Sequence, residues 1–243
     1  MSLDIFSNRT YREHYMAKDL VYFRATMEST DLHIGTKSDL SARALEAVRD
    51  ARAQVEAAIA RRPEFKSSFS PLPIDADEGP VVNAMLQASA AADVGPMAAV
   101  AGAISEYVGR ALLPFSDEVI VENGGDIFLF GRSPRKIAIL AGDSPLSEKL
   151  ALIVEPAQGL GICTSSATVG HSISLGKTDA SLIVAKTGAL ADAAASMLGN
   201  AVMSAEDIPA ALDAVLAVED VYGALVIIGD KLGAKGQLKL SRL

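Results

Sequence analysis

The sequence predicts an α+β fold, and three observations carry that expectation. Apolar runs of strand length occupy 118–122, 127–131, 136–141, 150–155, 180–185 and 222–229. Longer segments at 39–61, 81–92, 97–112, 188–203 and 207–218 read as helices. The two kinds are mixed without the strict alternation that marks a doubly wound parallel sheet.

The elements follow in chain order. Residues 11–36 alternate and carry Tyr11, Tyr15, Val21, Tyr22 and Phe23, which predicts two strands. Over 39–61, Leu40, Leu45, Val48, Val55 and Ile59 recur at helical spacing, with Ser38 as the expected N-cap and Pro63 as the stop. Arg43, Arg49, Arg52, Arg61 and Arg62 read as a solvated face of that helix. Four prolines, Pro63, Pro71, Pro73 and Pro80, mark 63–80 as a long loop or lid. Pro80 suits the first turn of the next helix. Gly95-Pro96 restarts a helix at 97–112. The last segment, 230–242, holds Gly233 and Gly236 and is expected to close a terminal hairpin. The chain is thus expected to divide into a strand–helix part with a proline-rich loop, 1–80, and a core carrying the ligand site, 81–243.

The bulk properties exclude several classes. The 243 residues carry a formal net charge of −8. General affinity for nucleic acid or anionic membranes needs basic patches, which are lacking. Cys163 is the only cysteine, so an internal disulfide is impossible and a cysteine-based zinc site is disfavoured. Met1-Ser2-Leu3-Asp4 begins no basic region followed by an apolar run. The most apolar zone, 81–113, is broken by Asn83, Gln87, Asp93, Gly95-Pro96 and Glu106, too often for a membrane span. A cytoplasmic location is expected, and a homo-oligomer is compatible with the pattern.

Familiar motifs fail. Gly176-Lys177-Thr178 ends like a phosphate-binding P-loop, but five residues, where the motif needs four, separate Gly170 from Gly176, and a strand pattern follows. Gly159-Leu160-Gly161 lacks the third dinucleotide glycine, because Thr164 stands there, so it reads as a loop. No Gly-x-Ser-x-Gly elbow is present. His14, His33 and His171 show no metal-ligand spacing, and the first two read as structural or surface residues.

Four stretches remain: GPMAAVAG at 95–102, ENGGD at 122–126, CTSSATVGHS at 163–172 and ALADAAASMLGN at 189–200. Singly, each has a plain structural explanation: a tight helix start, a hairpin turn, a polar loop and an amphipathic helix. Asp192 and Ser196 argue for more. They are four apart on a helix, so their oxygens share one face among alanines. A carboxylate and a hydroxyl are hard donors that suit magnesium better than zinc. Against this, an aspartate near a helix N-terminus also simply favours the helix dipole.

In this order the stretches resemble the ApbE family, magnesium-dependent flavin transferases that move FMN from FAD onto a protein threonine. Gly95, Ala99, Gly124-Gly125-Asp126, Thr164-Ser165, His171 and Ala191-Asp192-Ala193 with Ala195-Ser196 match its motifs across roughly residues 90–203. The resemblance implies an ApbE-like, T-fold-related mixed helix and sheet domain. It implies Mg²⁺ held by the Ala99 carbonyl, Asp192 and Ser196. It places a flavin nucleotide, FAD, against Gly95, Met97, Ala98, Asn123, Gly124, Gly125, Thr164 and Ser165. His171 and Asp126 become the acid–base candidates, with Asp179 behind them, and an acceptor protein becomes the partner.

There are departures. Pro96 replaces the family's lysine and Ala101 its aspartate. The Asp-Pro after the histidine is absent, and Thr-Ser-Gly is Thr164-Ser165-Ser166. The alternative is therefore a small-molecule or nucleotide-binding protein on the same fold that has lost or changed the transfer chemistry. A purely structural role fits less well with the Gly, Thr, Ser, Asp and His gathered at 122–126 and 164–171.

Overall fold

The computed structural model describes Arg12 and residues 16–75, 77–168 and 175–243. In chain order the elements are β1 (Val21–Met27), β2 (Thr30–Thr36), α1 (Ser41–Arg61), α2 (Glu64–Ser67), α3 (Pro80–Ala92), a 3-10 turn (Pro96–Ala99) and α4 (Val100–Leu112). Then come β3 (Val119–Asn123), β4 (Asp126–Phe130), β5 (Arg135–Ala138), β6 (Leu150–Val154), β7 (Leu160–Ser165) and β8 (Ala180–Ala185). The chain continues with α5 (Gly188–Ala201), a 3-10 turn (Ala205–Asp207), α6 (Ile208–Leu216), β9 (Val221–Ile228), β10 (Lys231–Gly236) and β11 (Lys239–Arg242).

Eight strands form one sheet in the order β1-β2-β3-β4-β7-β8-β9-β10, and β11-β6-β5 form a second, smaller one. Every pairing is antiparallel. The architecture is α+β, as the mixed pattern predicts. β2 pairs with β3, so the first strands extend the same sheet that carries the later ones.

The central strands are covered on both faces. In β8, Ile183 and Ala185 pack with Ala194, Leu198 and Leu212 on the helical side. The intervening Leu182 and Val184 pack with Leu152, Ile139 and Ile162 toward the small sheet. Strands with two buried faces read as unbroken apolar runs, which is why Ala180–Ala185 stands out in the sequence. α1 buries Ala44, Val48, Ala51, Val55 and Ala58 in a core shared with α3, α4 and β2.

Four expectations change. The N-cap of α1 is Leu40 without a side-chain cap, and Asp39 Oδ1 instead accepts the Ser41 N–H at 2.8 Å. Ser38 lies too far upstream, and its carbonyl is held by the Thr36 hydroxyl at 2.6 Å. The arginines of α1 are not merely solvated: Arg52 pairs with Glu28 and Glu56, and Arg61 and Arg62 both pair with Glu78. β7 (Leu160–Ser165), between β4 and β8, is built from parts of two stretches read as loops, Gly159-Leu160-Gly161 and 163–172. Its glycine is a packing device, because a Cβ on Gly161 would run into the Thr187–Gly188 backbone. The C-terminal segment closes a hairpin only in part: β10 returns against β9 across Gly229–Asp230, while β11 does not fold back on β10 but crosses to β6. Among the described residues, no single helix is long and apolar enough to cross a membrane.

Candidate carboxylate site between the glycine hairpin and two helix starts

The site begins with glycines inside helices. A Cβ on Gly102 of α4 would overlap the Gly188 carbonyl of α5, and one on Gly188 would overlap the Gly102 carbonyl. Two helix backbones can meet this closely only where neither carries a side chain. Glu106 Oε2 then accepts the buried Gly188 N–H at 2.7 Å, while Glu106 Oε1 accepts from Arg110 Nε at 2.7 Å. Thr187 caps α5, its hydroxyl accepting the Leu190 N–H at 3.2 Å.

This crossing brings Asp192 to the start of α4. The N-cap of α4, Ala99, supplies no side-chain acceptor. Asp192 Oδ2 accepts the Gly102 N–H at 2.9 Å. The carboxylate thus serves a helix N-terminus, but that of α4 and not its own. Protein atoms crowd Asp192, although the residue keeps some solvent contact, and this burial pushes its pKa up to about 7 against the opposing help of the Gly102 and Ala101 amides.

The second carboxylate arrives on the hairpin. Asn123 pairs with Asp126 across a two-residue turn in which Gly124 and Gly125 have φ of +68° and +107°. ENGGD is therefore a tight hairpin whose positive φ angles favour glycine. A Cβ on Gly125 would meet nothing within 4 Å, so that face of the turn is open. Asn123 Nδ2 donates to the Ala101 carbonyl at 3.3 Å. Ser105 Oγ reaches both the Ala101 carbonyl, at 2.9 Å, and the Asp126 carbonyl, at 3.2 Å. These contacts clamp the hairpin tip to the first turn of α4.

Asp126 and Asp192 consequently share one region. Burial, and then the Asp192 charge, hold the Asp126 pKa well above the usual carboxylate range, against the opposing influence of the nearby Cys163 thiol and Thr164 amide. Cys163, fully buried on β7, has its own thiol pushed up by burial and by both carboxylates. Among the described residues, no three His, Cys, Asp or Glu side chains are grouped to hold a metal. A cation here would depend on hydroxyl and carbonyl oxygens as well as carboxylate.

The remaining sequence candidates fall as follows. Gly95 is buried beneath the 68–69 segment, where a Cβ would overlap the Ser68 carbonyl, so packing alone explains its glycine. Met97 and Ala98 are half-buried and Ala99 fully buried in the 3-10 turn, which packs against α5. Ser196 is half-buried one turn beyond Asp192. Thr164 and Ser165 end β7, the former half-buried and the latter buried. His171 and His14 lie outside the described residues. Asp179 is occupied in tying loops, accepting from Thr168 Oγ1 at 3.0 Å and the Gly229 N–H at 2.7 Å. The small residues of 95–102, Gly102 included, read in sequence as a tight helix start that lets another element approach, and Gly102 does so against Gly188. Sequence reasoning missed Gly188, Glu106 and the place of Cys163. Glycines at 102 and 188, one within a helical pattern and one at a helix start, were the available signal.

An antiparallel sheet backed by helices in this arrangement is the fold of solved ApbE flavin transferases. The chain resembles the structure "Flavin Transferase ApbE from Vibrio cholerae" with a TM-score of 0.59 at 14% identity, over 89% of this chain and 96% of that one. The ApbE protein of Thermotoga maritima gives a TM-score of 0.57 at 11% identity, over 88% and 96%. Residues 12–232 match the family model described as "AbpE bacteria", and the chain belongs to that family. Relatives named "UPF0280 protein" are 43% identical over 196 residues in Methanocella arvoryzae, covering 80% of each chain, and 41% identical over 196 residues in Methanothrix thermoacetophila, covering 79% and 81%.

Proposed function

We propose that this protein acts on a flavin nucleotide, FAD, with Mg²⁺ at the Asp192 site, transferring FMN to a hydroxyl of an acceptor protein. The observation that carries this reading is the convergence of Asp192 and Asp126. Two carboxylates crowded together cost free energy unless a proton or cation joins them. Burial raises both pKa values and the Asp192 charge raises that of Asp126 further; such raised carboxylates recur at sites that bind or react. The donors are all hard oxygens, which fits Mg²⁺.

Asp192, the Ser196 hydroxyl and the Ala99 carbonyl would hold the cation. When bound, Mg²⁺ supplies charge neutralisation at a diphosphate. The rest is done by the chain itself. Gly125 has already given its N–H to Glu122 Oε1 at 2.8 Å, so the hairpin offers the nucleotide its open Cα face. Asn123, Gly124, Gly95, Met97, Ala98, Thr164 and Ser165 are the proposed remaining flavin contacts. Asp126 holds a proton to higher pH than an ordinary carboxyl and serves, with His171, as the proton-handling group at the acceptor hydroxyl.

A second reading, nucleotide binding without transfer, draws on one observation. The position of the family's aspartate is Ala101, and its carbonyl is engaged by Ser105 and Asn123. Incubation with FAD, with and without Mg²⁺, followed by chromatography for FMN and AMP, decides between them. Mg²⁺-dependent cleavage that Asp192→Ala abolishes, with AMP released and water taking the place of the acceptor hydroxyl to give FMN, supports the phosphoanhydride chemistry that transfer requires. Thermal stabilisation by FAD and Mg²⁺ without any cleavage supports binding alone. Neither response removes both readings.

A further inference from the structure

We infer that Arg12 and Glu122 form a buried strut that sets the position of the glycine hairpin beside the carboxylate pair, which makes them positioning residues for the nucleotide site proposed above, a reading on which the inference's ligand-binding consequence rests. Both side chains are largely buried, at 7% and 10% exposure. Arg12 Nε donates to Glu122 Oε2 at 2.6 Å, and the other oxygen of the same carboxylate accepts the Gly125 N–H at 2.8 Å. One carboxylate therefore links an arginine far upstream directly to the turn.

The arginine is itself fixed. Nη1 donates to Asp31 Oδ2 at 3.0 Å and Nη2 to the Asp31 carbonyl at 2.9 Å. Asp31 is further held by Arg24 Nη2 at 2.8 Å and by the Thr26 hydroxyl at 3.1 Å. The restraint thus runs from the β1–β2 hairpin through Arg12 and Glu122 to Gly125. On its other side the glycine hairpin is tied to α4 by Asn123 and Ser105. Gly124 and Gly125 have no side chains with which to fix their own position. Two opposed anchors supply what the turn lacks.

Energetics point the same way. A buried ion pair seldom stabilises a fold better than an apolar pair of equal volume, so its use here is best explained by geometry. Glu122 is also placed to matter chemically, because its charge is one of those that raise the Asp126 pKa. Displacing the hairpin would move Asp126 relative to Asp192 and reshape the open face at Gly125.

The test compares the wild type with Arg12→Gln, Arg12→Lys, Glu122→Gln and the control Arg24→Gln, whose side chain is exposed and contacts Asp31 but not Glu122. Amide hydrogen exchange is followed at Gly124–Asp126 and, as an internal reference, at 182–184 in the sheet centre. Arg12→Gln should speed exchange at Gly125 by about tenfold or more while leaving the reference amides unchanged. Arg12→Lys should restore part of the protection, and Arg24→Gln, which removes only an exposed outer support of Asp31, should change Gly125 exchange far less than Arg12→Gln does. FAD with Mg²⁺ should bind the Arg12→Gln protein at least about tenfold more weakly than the wild type. Unchanged Gly125 exchange, parallel acceleration at 182–184, or equal FAD affinity in wild type and variant would each overturn the inference. A wild type that ignores FAD and Mg²⁺ while the exchange contrast holds would remove the proposed function and leave the strut standing. If Arg12→Gln fails to fold, Arg12→Lys and Glu122→Gln carry the same comparison.

Discussion

Replacing Asp192 with asparagine should stabilise the metal-free protein at pH 8 and flatten its pH dependence. The asparagine keeps an oxygen for the Gly102 N–H but carries no charge toward Asp126. Folding raises the Asp192 pKa from 3.8 to about 7, chiefly through burial. Between those values the folded state binds a proton that the unfolded state has lost. Stability contributed by Asp192 is therefore full below about pH 4, falls as pH rises, and is lost above about pH 7. Three units at about 1.4 kcal/mol each give roughly 4 kcal/mol as the ceiling, and solvent reaching the carboxylate brings the observable to about 2 kcal/mol. For a chain of this length that is a rise of about 4–8 °C in Tm. The assay is urea unfolding at pH 5 and pH 8 with a chelator present. Wild type should lose stability between the two, and the variant should lose clearly less. If the variant is weaker than wild type by the same amount at both pH values, the account of a strained, charged Asp192 is refuted.

Other perturbations separate packing from ligand chemistry. Gly102→Ala must push α4 from α5, because its Cβ would meet the Gly188 backbone, and a loss of about 3 kcal/mol by chemical denaturation is expected. Gly125→Ala meets no neighbour but is strained at φ +107°, so the loss should be only about 1–2 kcal/mol, with the fold intact by circular dichroism. Ser196→Ala should leave unliganded stability within about 1 kcal/mol of wild type while reducing the Mg²⁺-dependent thermal shift, and Ser196→Thr should keep that shift.

Much of the fold is legible in one dimension because local rules and tertiary context agree. Pro80 opens α3, Gly95-Pro96 starts the next helical stretch, and Ala180–Ala185 reads as a strand buried on both faces. β7 escaped notice because Gly161, Thr164 and Ser165 look like loop residues. They tolerate strand geometry because Gly161 lies against the α5 start and the strand is paired on both edges. β11 escaped because nothing local distinguishes a return to β10 from a crossing to β6. At the site, the i,i+4 spacing of Asp192 and Ser196 and the Asn-Gly-Gly turn are visible in sequence. The meeting of Asp192 with Asp126 is not, since it requires the closure of Gly102 on Gly188 and the docking of a hairpin from elsewhere in the chain.

The sequence by itself determined the α+β class, most element positions, the tight glycine turn and the acidic, single-cysteine character of the chain. These depend on periodicity, backbone freedom and composition, which are local properties. Only the tertiary structure decided that Asp192 caps α4, that Asp126 and Cys163 crowd it, and that Arg12 reaches Glu122 beneath the turn. Those facts arise from contacts between residues up to 110 apart in the chain. Burial and mutual charge, which set the chemistry of the site, exist only once such residues have been packed together.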